Sequence, residues 1–362
     1  MRKKIMISGY HGYKNTGDEA VLESFLDYIK DKIPDIDIVV LSADPDFTTK
    51  NYGVRAIKRF DIFSIIKEFK NCDLLVSGGG SLLQDVTSSR TIPYYLSIIA
   101  IAKFLKVKVS IFAQGIGPVK RNFFKKWIRD VFMTVDTISV RDKGSLDFLM
   151  SIGLERSDIQ VLSDPVFCLK SLKEKKYMTE IIDGNTIIFA LRKWNDLICE
   201  DVFASYIDKI NNDLNTKAVL LAFQPQEDLE LSEKIANLAK SDVKVISYNI
   251  SPKFVKQIIS SSGLLVGMRL HSLILAASCN VACVGISYDP KVESLFEILN
   301  LNSMIKVEDI PKDDRFSVFL DLVKNTWYNR QNIQDKLKKT VPNLENDALK
   351  ACDLAITPIY QR

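Results

Sequence analysis

Short runs of consecutive apolar residues alternate along this chain with longer stretches in which apolar positions recur every three or four residues. In the first half the runs fall at 5–8, 36–41, 74–77, 109–113, 137–140 and 159–162. Helical periodicity fills 19–31, 60–69, 93–105, 123–133 and 144–152 between them. The pattern then starts again, with strand-like runs at 186–191, 218–223, 243–247, 264–267 and 282–287. Helices are expected at 201–212, 228–240, 252–260, 270–278 and 290–299. Strands that are apolar throughout and separated by helices predict a parallel sheet covered on both faces. Two such sets predict an α/β protein of two Rossmann-like domains facing a cleft, residues 1–170 and 171–340, with the charged segment 170–176 as linker. The tail from 316 is helical in pattern, and 341–362 is expected as a final helix packing back on the first domain. In such sheets ligands collect at the carboxyl ends of the strands, so motifs there carry the candidate chemistry.

Composition narrows the class. The 362 residues suffice for two ordinary domains, and 47% hydrophobic with 26% charged residues is the balance of a globular protein. A formal net charge of +4 is too small to argue for nucleic acid. Cys72, Cys168, Cys199, Cys279, Cys283 and Cys352 form no CxxC pair and no metal-ligand spacing; they read as small buried hydrophobes in a reducing compartment. The N-terminus runs straight into a strand with no apolar segment of signal-peptide length, and the longest apolar stretch, 94–102, is too short to span a bilayer. A cytoplasmic location is the expectation.

The most suggestive segment is Gly267-Met268-Arg269-Leu270-His271-Ser272, where a buried strand breaks at glycine and passes into an apolar helix. A helix start offers unpartnered N–H groups and the positive dipole end, Arg adds a planar cation, and His adds a proton that titrates near neutrality. That suits an anionic substrate needing proton transfer; a plain strand-to-helix turn with two surface polar residues is the competing reading. After the first strand, Gly9-Tyr10-His11-Gly12 leads to Asn15-Thr16-Gly17-Asp18-Glu19, where Thr16 and Glu19 fit a capping box and His11 and Asp18 lie at the mouth of the sheet. Ser77-Gly78-Gly79-Gly80-Ser81 reads as a backbone cradle for sugar or phosphate, or as a tight turn; it matches neither GxGxxG nor a P-loop. Gln114-Gly115-Ile116-Gly117-Pro118, Ser139-Val140-Arg141-Asp142 and Ser163-Asp164-Pro165 end further strands, and Arg141 could supply a second cation or merely pair near Asp142 at the surface. In the second half, Arg192 and Gln224 also end strands. These positions make His11, Asn15, Gly79, Gly80, Ser81 and Gln114 candidate acceptor contacts. Residues 120–129 interleave basic and aromatic side chains at helical spacing, which suits an anionic membrane surface; burial of Phe124, Trp127 and Ile128 with a solvated Lys fringe is the competing reading.

Taken in order, Gly-Tyr-x-Gly-x-x-Asn-x-Gly-Asp-Glu-Ala, Gly-Gly-Gly-Ser-Leu-Leu-Gln-Asp, Gln-Gly-Ile-Gly-Pro, Ser-Val-Arg-Asp, Ser-Asp-Pro and Gly-Met-Arg-Leu-His-Ser resemble the polysaccharide pyruvyl transferases, most of all the cell-surface-anchoring type. The resemblance implies a fold similar to GT-B glycosyltransferases, no metal or other cofactor, and phosphoenolpyruvate as donor. It also implies an N-acetylmannosamine acceptor on a lipid-pyrophosphate-linked disaccharide, feeding secondary cell-wall polymer and S-layer anchoring at the cytoplasmic face of the membrane. By the same resemblance Arg141, Arg269, Leu270 and His271 hold the donor. Residue chemistry agrees, since two guanidiniums and a helix start suit a carboxylate and a phosphate. His271 is then the candidate acid and Asp18 the candidate base. The alternative is a GT-B nucleotide-sugar glycosyltransferase, which would need an acidic contact to ribose in the second domain; a non-catalytic sugar-binding protein would need no Arg-x-His element at all.

Overall fold

The computed structural model describes residues 2–85, 90–172, 182–195, 197–247, 251–310 and 317–361. The chain divides into two compact units. One comprises Met1–Tyr13, Asp18–Leu169 and Leu344–Arg362; the other comprises Lys14–Gly17 and Lys170–Asn343. Residues 173–176 of the expected linker lie outside the described residues.

The first unit is built on seven parallel strands: β1 (Lys4–His11), β2 (Asp37–Ser42), β3 (Arg55–Lys58), β4 (Leu74–Leu83), β5 (Lys108–Ile116), β6 (Thr137–Val140) and β7 (Gln160–Val161), in the order β3-β2-β1-β4-β5-β6-β7. Its helices are α1 (Thr16–Lys32), α2 (Pro45–Tyr52), α3 (Ile62–Phe69), α4 (Thr91–Phe104), α5 (Asn122–Phe132) and α6 (Lys143–Ser151). Ile5, Met6, Leu74, Leu75, Val76 and Val109 are fully shielded from water, as strands covered on both faces require. Each such side chain contributes about 1.5–3 kcal/mol by leaving water. Phe124, Ile128 and Phe132 of α5 join this core, whereas Phe123 stays exposed.

The second unit holds β8 (Thr186–Ala190), β9 (Lys217–Leu221), β10 (Val243–Ile246), β11 (Leu264–Gly267), β12 (Cys283–Ser287) and β13 (Met304–Lys306), parallel in the order β10-β9-β8-β11-β12-β13. Helices α7 (Glu200–Leu214), α8 (Pro225–Leu238), α9 (Pro252–Ser260), α10 (Leu270–Ser278), α11 (Pro290–Ile298) and α12 (Ser317–Tyr328) follow. The last helix, α13 (Arg330–Ile356), carries Pro342 in its interior, and residues from Leu344 onward belong to the first unit. There Asp353 accepts from the Tyr28 hydroxyl and pairs with Lys32, and Ala348, Ala351 and Cys352 are buried.

Three elements carry too little apolar signal for periodicity to reveal. β3 is a four-residue edge strand with exposed ends, and β13 is a three-residue edge. α2 has a mostly polar sequence and is set instead by Asp44, whose side chain accepts from the Phe47 N–H, by Pro45 at its start and by Gly53 in the left-handed region at its end. The break after residue 77, read as a backbone cradle or a tight turn at Gly78–Gly80, is a further difference. The strand continues through all three glycines to Leu83, with a register irregularity against β5 between Gly80 and Leu83. All six cysteines are free, and burial pushes the Cys72 and Cys283 thiols up to about 12. No described helix is long and apolar enough to cross a membrane.

Candidate functional site

In each sheet the strand order reverses direction at one point: between β1 and β4 in the first, between β8 and β11 in the second. Loops leaving the carboxyl ends of such a pair diverge and leave a crevice. The candidate residues gather at these two points, and each unit assembles its own cluster.

In the first unit, α1 lies hard against the glycine run of β4. A Cβ on Gly79, whose φ is +74°, would collide with Cγ1 of Val21, and one on Gly80 would come 2.8 Å from Oδ1 of Asp18. The glycines therefore admit the helix and seat the Asp18 carboxylate over the strand; the volume at Gly79 is taken by Val21. Beside them Arg141 is almost wholly buried. It donates from Nη1 to Asp164 (2.8 Å) and from Nη2 to Ser81 (2.7 Å), while Asp142 lies 4.0 Å from its Nε. Asp164 thus holds Arg141, and Asp142 instead caps α6 by accepting from Ser145 N–H. Gly115 belongs to the same cluster, because a Cβ there would approach Arg141 and Ser81 to 2.9 Å. Gln114 is buried, and its side-chain oxygen has no hydrogen-bond partner among the described residues.

The capping box expected from Thr16 and Glu19 takes another form. The helix opens at Thr16, Asn15 Oδ1 accepts from Gly17 N–H (3.0 Å), and Glu19 accepts from Gly12 N–H and from the Tyr52 hydroxyl, both at 2.8 Å. Burial raises the Tyr52 hydroxyl far above its ordinary value, with the Glu19 charge adding to it. His11, at the end of β1, is buried and folded over Gly9, and neither ring nitrogen has a partner among the described residues. Burial, helped by the positive charge of Arg59, pushes its pKa down to about 3, so the ring is neutral.

In the second unit Arg269 closes a dense network. Nε and Nη2 donate to the two oxygens of Asp228 (3.1 and 2.5 Å), Nη2 to Glu227 (2.8 Å) and Nη1 to Gln224 (3.1 Å). Asp228 is fully buried and also accepts from Gln224 N–H (2.8 Å); burial raises its pKa against the pull of Arg269. Gln224 Oε1 accepts in addition from Asn15 (3.0 Å), and Thr16 N–H donates to the Phe223 carbonyl (3.2 Å), which ties 14–17 to this unit. Arg192 stands next to the network, 3.6 Å from Glu227, bonded to the Tyr288 hydroxyl (3.1 Å) and stacked over Trp194 and Tyr288. Two guanidiniums and two carboxylates thus meet in one place. The imidazole of His271, in the first turn of α10, fills the space beside Gly17, where a Cβ would strike Nδ1; Leu270 before it is half-buried.

Arg141 with Ser81, and Asn15 with Arg269, are therefore joined in separate clusters, and Arg141 belongs to the first unit while Arg269 and His271 belong to the second. Sequence reasoning missed Glu227, Asp228, Arg59 and Tyr288. Acidic residues in a helix's first turn read as ordinary dipole partners, which hid Glu227 and Asp228. Among the described residues no group of three or more His, Cys, Asp or Glu could hold a metal ion.

The whole fold has solved counterparts. UDP-GlcNAc 2-epimerase from Neisseria meningitidis, solved with UDP-GlcNAc bound, superposes with a TM-score of 0.67 at 11% identity, covering 98% of this chain and 99% of that one. A glycosyltransferase from Rickettsia africae gives 0.63 at 13% identity over the full length of both. UDP-GlcNAc 2-epimerase from Methanocaldococcus jannaschii gives 0.59 at 12%, covering 96% and 93%. These likenesses establish a GT-B-like fold. No curated protein matches the sequence at a significant level. The family model for polysaccharide pyruvyl transferase matches residues 15–290, which contain Asp18, the glycine run of β4, Arg141, Gln224, Asp228 and the Arg269-Leu270-His271 element. With most of its length matched by that model, the chain belongs to the polysaccharide pyruvyl transferase family.

Proposed function

We propose that this chain transfers a pyruvyl group from phosphoenolpyruvate to a sugar, forming a cyclic ketal and releasing phosphate. The observation carrying the reading is the family match, which takes in both switch-point clusters. The acceptor class is N-acetylmannosamine in a lipid-pyrophosphate-linked disaccharide, made at the cytoplasmic face of the membrane. The product is pyruvylated secondary cell-wall polymer that anchors an S-layer.

In this reading Arg141, Arg269, Leu270 and His271 hold the donor, whose carboxylate and phosphate need fixed cations and free N–H groups. A proton goes to the methylene carbon, which becomes a methyl group, and a sugar hydroxyl adds to the central carbon as its own proton leaves. Phosphate then departs with its bonding electrons, and the second hydroxyl closes the ring and loses its proton. His271 delivers the proton and Asp18 accepts one from the attacking hydroxyl. A carboxylate near the central carbon also favours the oxocarbenium charge that builds up as phosphate leaves. His11, Asn15, Gly80, Ser81 and Gln114 are the acceptor contacts, while the space over Gly79, also a candidate from the sequence, is filled by Val21.

The test is incubation with phosphoenolpyruvate and a synthetic lipid-linked acceptor. Product gaining one pyruvyl group with one phosphate released supports the reading, and no product with any sugar acceptor overturns it. His271→Ala is expected to lower turnover at saturating donor by about 10²–10⁴-fold. Unchanged turnover would remove the acid role.

A further inference from the structure

Arg59 follows the edge strand β3, and its N–H donates to the Ser42 carbonyl at the end of β2, while Ser42 pairs in register with His11 at the end of β1. Three adjacent strand ends thus bring a guanidinium and an imidazole to one spot in the first unit. Arg59 is 6% exposed and His11 1%. The guanidinium lies within 4.3–5.4 Å of the ring centres of Tyr13, Phe60, Tyr94 and Tyr95. Nη2 donates to the Tyr95 hydroxyl (3.2 Å), but Nε and Nη1 are buried with no partner, and no carboxylate pairs with this arginine among the described residues.

Such a cation is costly to bury. Faces of aromatic rings return about 0.5–2 kcal/mol each at best and leave the in-plane N–H groups without acceptors. A buried guanidinium normally finds a carboxylate or phosphate for those donors. His11, close enough for the positive charge of Arg59 to help hold it neutral, has one ring nitrogen able to donate and the other to accept. The group that satisfies both side chains needs oxyanion oxygens, and a phosphoryl group supplies them. Phe60, whose ring centre lies 5.3 Å from the guanidinium, is 69% exposed, so this ring stands between the cation and solvent. Ile62 and Phe63, 43% and 90% exposed, extend an apolar apron beside it.

We propose that Arg59 and His11 form a phosphoryl-binding subsite in the first unit, roofed by Phe60. It takes a phosphate or pyrophosphate group, either free or as the headgroup of a lipid. The inference extends the acceptor reading of His11, but its test uses neither phosphoenolpyruvate nor sugar, so its failure and that of pyruvyl transfer are told apart.

The chain holds only two histidines, so imidazole NMR signals can be assigned to His11 by their persistence in His271→Gln. Inorganic pyrophosphate and geranyl diphosphate are titrated separately into the full-length protein. Both are expected to shift the His11 signals, and Arg59→Gln is expected to weaken binding at least tenfold with an unchanged circular dichroism spectrum. Should Arg59→Gln fail to fold, Arg59→Lys keeps the charge and is expected to bind several-fold more weakly than the parent. Tighter binding of geranyl diphosphate, lost in Phe63→Ser, assigns a lipid headgroup; equal binding of the two assigns the free anion. No His11 shift with either probe at millimolar concentration, or parental affinity in the folded arginine variants, overturns the subsite.

Discussion

At the residue scale, burial decides what the titratable groups do. His11 keeps its proton off down to a pH of about 3 in the folded chain, whereas an unfolded chain takes it up near 6.5. Between those values the unfolded state binds the extra proton, so stability is intact above 6.5 and is lost as pH falls towards 3. Linkage gives about 2 kcal/mol lost by pH 5 relative to pH 7 from this residue alone. Urea unfolding of the parent and of His11→Asn at the two pH values measures it; an acid slope that the substitution leaves unchanged would contradict the burial argument. Arg269 shows the limit of reading a residue by type. Its cationic head was legible as a candidate from its position at a strand-to-helix break, but its partners Asp228 and Glu227 lie 41 and 42 positions away and only the fold brings them to it.

At the element scale, the glycine run of β4 is explained by what packs on it. Residues 74–77 were recognisable as a buried strand; its continuation to Leu83 was hidden because three glycines read as a break. The closeness of α1 is the reason for them, and it has a measurable consequence. Gly79→Ala forces a Cβ into Val21 at a positive φ, so the backbone and overpacking terms add and it is expected to cost about 2–5 kcal/mol in chemical denaturation. Gly53→Ala is the control: it also has a positive φ, 61°, but nothing lies within 4 Å, so only the backbone term of about 1–2 kcal/mol applies. Equal losses would show that backbone conformation alone, not the contact with α1, requires Gly79. The amphipathic α5 resolves in the same way, with Phe124, Ile128 and Phe132 turned into the core and Phe123 left outside.

At the scale of the whole molecule, fold and chemistry have to be separated, because the same two-sheet architecture serves epimerases and glycosyltransferases at 11–13% identity. Ligand-linked stability separates them. A true donor binds the native state only, and at a hundredfold excess over its dissociation constant it adds about 2.7 kcal/mol. Phosphoenolpyruvate is expected to raise the unfolding temperature while UDP-N-acetylglucosamine leaves it unchanged. The reverse result would favour the glycosyltransferase alternative.

The alternation of apolar runs with helical periodicity determined the class and the strand series, because an apolar strand buried on both faces has few other places to go. Motif order carried the family. Edge strands such as β3 and β13, the partners of Arg269 and Arg141, and the meeting of Arg59 with His11 were decided only by the tertiary structure. Each depends on strand order and on contacts between residues distant along the chain, and a local pattern holds no record of which strand lies next to which.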